Sequence, residues 1–253
     1  MRKSIFISGG ASGIGAASMA LFLERGWAVC VYDLKISEEF ARQYGCYGEK
    51  LLLIEGDTRD AEGVRNAADT AAERFGGLGS VFACAGVHSS DTILDVSEEA
   101  LRRMIDINIM GTYHTLQACL PHIIAGGGGS VVINASDQSL VGKPHSFAYG
   151  LTKGALGQIC KGMALDLASK GVRVNAICPG TIRTPMVDAI FARCSAQGLG
   201  SEEELWAEEE ALFPLGRVGR PEEVAKLVYF LAGEDSSFTT GSLYSIDGGL
   251  TAG

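Results

Sequence analysis

Hydrophobic and polar positions fall into repeating blocks along this chain. Short runs rich in β-branched residues occur at 4–8 (SIFIS), 28–33 (AVCVYD), 51–56 (LLLIEG), 80–86 (SVFACAG), 130–136 (SVVINAS), 172–178 (VRVNAIC) and 242–247 (SLYSID). Runs that are apolar on both side-chain faces predict strands covered on both sides. Amphipathic or mixed segments separate them, and helices are expected at about 13–25, 60–75, 97–125 with a break, 148–169 and 221–232. Several end at glycine, as at Gly26, Gly76 and Gly171, where the chain can turn left-handed. The alternation predicts an α/β fold: one doubly wound Rossmann domain with a parallel sheet of roughly seven strands flanked by helices.

No stretch reads as a linker, so residues 1–253 are expected to form one domain. The run GGGG at 126–129 stands just before a strong strand and reads as a helix-to-strand turn. Residues 181–217 differ from the rest. They lack a strand signal, carry the acidic run EEELWAEEE, and separate the sixth strand from the last helix. An inserted helical lid over a substrate is the expected arrangement.

Composition narrows the function. With 253 residues, 47% of them hydrophobic, the chain has ample material for a core. A formal net charge of -9 and the lack of a dense basic run argue against nucleic-acid binding, which needs clustered cations to displace counterions. No apolar stretch approaches the ~20 residues of a membrane helix. The N-terminus lacks a signal peptide's long apolar region, so a cytoplasmic location is expected. The seven cysteines form no CxxC pair and mostly sit in apolar surroundings, as reduced packing residues do. His88, His114, His122 and His145 lack metal-ligand spacing, and no metal site is expected. Surface positions are expected for the histidines, although His88 and His145 should stand just beyond strand ends near a cleft.

The first strand runs into SGGASGIG, where Gly9, Gly13 and Gly15 precede an apolar helix. A turn without Cβ atoms lets the amides of the helix N-terminus approach a pyrophosphate and face its charge with the helix dipole. A dinucleotide site is therefore expected, with Ser12 and Ile14 in the same turn. Asp33 ends the second strand, where a carboxylate accepts the adenosine ribose hydroxyls and repels a 2'-phosphate. NAD is favoured over NADP. Ser12, in place of a basic residue, agrees, whereas Lys35 softens the preference.

In YGLTK at 149–153, helical i, i+4 spacing puts Lys153 on the same face as Tyr149. A free phenol has a pKa near ~10. A nearby ammonium, together with the positive nicotinamide of NAD, is expected to favour the phenolate needed as a base. A hydrolase triad from Ser136, His145 and Asp137 is disfavoured, because the chain has no GxSxG elbow.

Taken in order, SGGASGIG, Asp33, CAG at 84–86, Asn108, Ser136, YGLTK and PGTIRT at 179–184 resemble the short-chain dehydrogenase/reductase family over nearly the whole chain. The resemblance implies a catalytic set of Asn108, Ser136, Tyr149 and Lys153. Ser136 is selected by its spacing of 13 residues before Tyr149, with Ser139 as a second candidate for substrate contact. Lys153 would also grip the nicotinamide ribose, and Asn108 would hold a water linking Lys153 to solvent.

The resemblance also implies Asp57 at the adenine amino group with Thr58 beside it. Cys84, Ala85 and Gly86 would lie along the adenosine ribose, and Pro179, Gly180, Ile182 and Thr184 around the nicotinamide. Two positions depart from the family pattern. Cys84 replaces an amide that normally braces the sheet, and Asp137 and Gln138 replace a small apolar pair. Those two tune substrate polarity or hydrogen-bond a neighbouring loop.

The resulting expectation is hydride transfer between NAD and a small secondary alcohol or ketone. The region around Arg183 and the final strand look most like relatives acting on sugar acids or short hydroxy acids, with Arg183 or Arg193 clamping a carboxylate. His145 is a further candidate substrate contact. Steroid or acyl-thioester reduction within the same family is an alternative, as is a non-catalytic NAD-binding sensor, which the intact catalytic set opposes. Relatives commonly form tetramers through helices such as 148–169, and its glycines, Gly150, Gly154, Gly157 and Gly162, would permit close approach in a homo-oligomer.

Overall fold

The computed structural model describes residues 2–253. Strands β1 (Ser4–Ser8), β2 (Ala28–Asp33), β3 (Leu51–Glu55), β4 (Ser80–Ala83), β5 (Gly129–Asn134), β6 (Val172–Pro179) and β7 (Leu243–Ile246) form one parallel sheet. Their spatial order is β3-β2-β1-β4-β5-β6-β7. The chain winds outward from β1 to β3, then returns to the other side of β1 at β4. That reversal opens a crevice beyond the carboxyl ends of β1 and β4, the usual ligand position in such sheets.

Helices α1 (Gly13–Glu24), α2 (Glu38–Tyr44), α3 (Ala61–Phe75), α4 (Glu98–Met104), α5 (Gly111–Ala125), α6 (Phe147–Leu167), α7 (Pro185–Ala196), α8 (Glu202–Ala211) and α9 (Pro221–Ala232) follow in order. All five residues of β1 are buried. Ile5 and Ile7 belong to a core with Met19 and Phe22 of α1 and Val224 and Val228 of α9. Phe6, on the opposite side of the pleat, joins Val64 of α3, Leu116 of α5 and Leu156 of α6. Each such side chain contributes roughly 1.5–3 kcal/mol of transfer free energy, so both helix layers are needed to cover the interior of the strand.

The expected break in 97–125 is not a loop. Residues Ile105–Met110 form a π-helical stretch joining α4 to α5, and it carries Asn108. Such stretches widen a helix locally and concentrate at functional positions. The glycines at 126–129 make the tight turn into β5. A Cβ on Gly129 would lie 2.0 Å from the Gly79 carbonyl oxygen, so the approach excludes any side chain.

Helix α2 lies outside the expected helices; none of its residues is buried, so it leaves no periodic signal. Between β6 and α9, Trp206, Phe213 and Val218 form a small separate cluster with Val187 and Phe191. Among the described residues, no helix is long and apolar enough to cross a membrane.

Candidate active site

A cleft of about 680 Å³ lies along the carboxyl ends of the strands, lined by the segments that follow β1, β2, β3, β4, β5 and β6. In the glycine turn, Gly9 has φ 71°, and a Cβ there would lie 2.7 Å from the Ala85 Cα. A Cβ on Gly15 would lie 2.0 Å from the Gly9 carbonyl oxygen. Ser12 precedes α1 without capping it through its side chain, and the first turn carries no acidic residue. Its amides and positive dipole end therefore remain for an anion at the cleft, and this cradle fits a dinucleotide pyrophosphate.

Ser12, Gly13, Ile14, Asp33, Asp57, Thr58, Cys84, Ala85, Gly86, Pro179, Gly180, Ile182 and Thr184 all line the same cleft. Asp33 Oδ2 also accepts the Ala11 amide at 2.8 Å, so the carboxylate braces the turn it stands beside. Asp57 is forked by Arg59, whose Nε lies 2.9 Å from Oδ2, and this pairing holds its carboxyl below the ordinary range. At Cys84 the thiol accepts a weak hydrogen bond from Asn134 Nδ2 at 3.5 Å, while Asn134 Oδ1 is buried without a partner. Burial pushes the Cys84 thiol up to about 12, which leaves it an unreactive packing group.

Ser136, Tyr149 and Lys153 share this cleft. Ser136 follows β5, and its hydroxyl donates to Asp137 Oδ1 at 2.7 Å. Lys153 is buried and donates to the Asn134 carbonyl at 2.7 Å, with Nζ 5.6 Å from the Tyr149 ring centre. Gly86 admits this crowding, since a Cβ there would lie 3.2 Å from Asn108 Oδ1 and 3.7 Å from Lys153 Nζ.

Asn108 is fully buried. Its Oδ1 accepts the Val87 amide at 2.8 Å, and its Nδ2 donates to the Val87 carbonyl and the Thr152 hydroxyl, each at 3.0 Å. The side chain thus clamps the loop after β4 to α6.

The protein alone does not lower the phenol as the helical spacing predicts. Burial raises Tyr149 to about 12, opposed by a hydrogen bond with Ser136 and reinforced by the Asp137 charge. Burial likewise lowers Lys153 to about 8. Desolvation outweighs the helical pairing because Lys153 Nζ is committed to the Asn134 carbonyl and not to the phenol oxygen.

Other expected contacts are placed elsewhere. Ser139 does not line the cleft; its hydroxyl donates to the Lys153 carbonyl at 2.7 Å. Arg183 lies outside it as well, its guanidinium stacked 4.3 Å from the centre of the Trp206 ring, a weakly hydrated cation on an aromatic face. Arg193 does not line the cleft either, although its charge is among those that act on His88 at the substrate end. His145 does reach the cleft edge, at an unusual φ of 52°.

His88, expected at the surface, instead packs its ring 4.6 Å from that of Tyr149, and burial lowers its pKa. Lys143 lines the same end and pairs with Asp137 Oδ2 at 3.2 Å. His88 stands beyond the end of β4 at the cleft, as its place in the sequence predicts, whereas no local pattern announces Lys143. The loop carrying His88 is held by Asp91, whose amide donates to the His145 carbonyl at 3.1 Å and whose Oδ1 accepts the Ala148 amide at 2.9 Å.

A family model described as enoyl-(acyl carrier protein) reductase matches residues 9–251. Cyclohexanol dehydrogenase of Acinetobacter sp. (strain SE19) is 33% identical, covering 99% of this chain and 95% of its own. The 2-keto-3-deoxy-L-fuconate dehydrogenase of Xanthomonas campestris pv. campestris is 37% identical over 98% of this chain and 79% of its own. Among solved structures, a short chain dehydrogenase family protein from Francisella tularensis superposes with a TM-score of 0.89 at 32% identity over the full length of both chains. A structure titled ElxO with NADP bound gives 0.89 at 31%, again over the full length of both. Matched in sequence and in fold from the glycine turn to the last strand, the chain belongs to the short-chain dehydrogenase/reductase family of oxidoreductases.

Proposed function

We propose that the protein transfers a hydride between NAD and a polar secondary alcohol or its ketone, with Tyr149 as the proton-transferring group. The convergence of Tyr149, Ser136 and Lys153 in the cleft closed by the glycine turn carries this reading. NAD supplies the nicotinamide that takes or gives the hydride and, when oxidised, a positive charge. Tyr149 gives its proton to the carbonyl oxygen in reduction and takes the carbinol proton in oxidation. Burial keeps the phenol protonated, which suits the reductive direction as the site stands.

Ser136 turns its hydroxyl from Asp137 to the substrate oxygen and fixes its position. Lys153 is the cation beside Tyr149 and holds the nicotinamide ribose. Asn108 acts as a brace, with both its amide atoms spent on Val87 and Thr152. Asp33, whose carboxylate lines the cleft beyond β2, would hold the adenosine ribose hydroxyls and repel a 2'-phosphate, which favours NAD. Residues 181–217 close over the substrate, an arrangement supported by Met186, Ile190 and Phe191 in the cleft lining.

The same reading includes a homotetramer built through α6. There Leu151 and Leu165 are exposed, and Gly154 and Gly162 have open space where a Cβ would stand. Gly150 and Gly157 instead pack inward on Gln138 and Leu243, so only two of the four glycines serve such a contact.

Tyr149→Phe tests the proposal. It should reduce turnover of alcohols and ketones by at least a thousandfold while NAD binding, read by fluorescence or calorimetry, stays within about threefold. Undiminished turnover would remove Tyr149 from the chemistry. A wild-type protein that binds NAD and converts no alcohol or ketone would point to a sensor.

A further inference from the structure

We infer that the substrate end of the cleft is built for a polyhydroxylated compound, one with at least two hydroxyls besides the reacting carbinol. The inference rests on the dehydrogenase reading above and names its substrate class. Its starting point is where unsatisfied polarity collects. Among the described residues, six buried side-chain nitrogen or oxygen atoms have no hydrogen-bond partner. Five of them, on His88, Asn134, Asp137, Gln138 and Ser146, belong to residues lining this cleft. Each such atom forfeits a hydrogen bond it has in water, and folded proteins keep few of them. Their concentration beside Tyr149 marks a place completed by a ligand.

Two of the five owe their state to neighbours within the fold. Asn134 faces the weak thiol of Cys84, and Gln138 Oε1 packs against Gly150 of α6. A third, Asp137 Oδ2, has Lys143 Nζ at 3.2 Å and is satisfied by that ion pair, while Oδ1 accepts the Ser136 hydroxyl. The remaining two, on Ser146 and His88, are chemically informative. Ser146 is 7% exposed, so bulk solvent does not complete it.

Ser146 stands at the N-cap of α6 yet caps nothing, because Asp91 takes that role by accepting the Ala148 amide. Its hydroxyl remains for another partner. His88 is kept neutral by burial, so its ring offers one donor and one acceptor. Hydroxyl groups, which donate and accept at once, satisfy both, whereas a steroid or acyl chain satisfies neither.

The experiment compares kcat/KM for cyclohexanol with those for cyclohexane diols and triols, pentoses, hexoses and hexonates, using wild-type enzyme and NAD. The best polyhydroxylated compound should exceed cyclohexanol at least a hundredfold. Ser146→Ala and His88→Phe should each cut that ratio at least tenfold, chiefly through KM. The inference is overturned if cyclohexanol equals or exceeds every polyhydroxylated compound, or if both variants keep the ratio within twofold. If nothing is turned over, the dehydrogenase reading itself fails. Calorimetric titration of the same panel into the protein with NADH then decides the inference: millimolar or tighter binding of a polyol, weakened tenfold by Ser146→Ala, supports it, and no binding overturns it.

Discussion

Asp91 accepts the Ala148 amide at 2.9 Å across 57 residues of chain, so a loop that follows β4 caps the helix carrying Tyr149 and Lys153. An N-cap acceptor satisfies one of the free amides of the first turn and is worth about 1 kcal/mol. Here the same residue also fixes the loop that holds His88, through the hydrogen bond its backbone N–H donates to the His145 carbonyl. Asp91→Ala should lower unfolding stability by about 1–2 kcal/mol in urea and reduce kcat/KM more than tenfold. Asp91→Asn keeps the acceptor and should restore most of both; an alanine variant with unchanged turnover would refute the coupling.

Cys84 leaves Asn134 Oδ1 without a donor in the middle of the sheet. Cys84→Asn supplies an amide there and should stabilise the protein by about 1 kcal/mol, which corresponds to a Tm increase of roughly 2–4 °C at this chain length. A scanning calorimetry trace with lower Tm would mean that the cavity around the thiol admits no larger side chain.

The buried Lys153 ammonium makes the cofactor-free protein sensitive to alkaline pH. Its pKa falls from 10.5 to about 8 on folding. Between those values this group binds more protons in the unfolded chain, so stability should rise with pH from about 8 to 9. Above pH 9 buried thiols such as Cys84, raised to about 12, and Cys178, raised to about 11, impose the opposite slope, and Tyr149, raised to about 12, joins them above pH 10. Lys153→Met should abolish the rise between pH 8 and 9 in urea titrations, and a variant that retains it would assign it to another group.

Asp33 combines two roles, holding the Ala11 amide and presenting charge to the cleft. Asp33→Asn keeps the carbonyl acceptor and removes the charge. The ratio of kcat/KM with NADP to that with NAD should rise at least tenfold with Tm changed by under about 2 °C. An unchanged ratio would assign cofactor choice to other groups, such as Arg59 at the cleft.

Sequence by itself determined the sheet. Seven apolar runs became seven parallel strands because burial on both faces leaves a local signature in every residue, as in Ile5, Phe6 and Ile7 of β1. The glycine turn was equally legible, since a Cβ at Gly15 is excluded by its immediate neighbours. Tertiary structure alone decided how the polar groups are spent. Ser139 went to the Lys153 carbonyl, Arg183 to Trp206 and Lys153 to the Asn134 carbonyl. His88 came against Tyr149, and Asp137 against Lys143. A polar side chain takes whichever partner the fold brings within about 3 Å, and most of these partners lie well outside its own helix or strand.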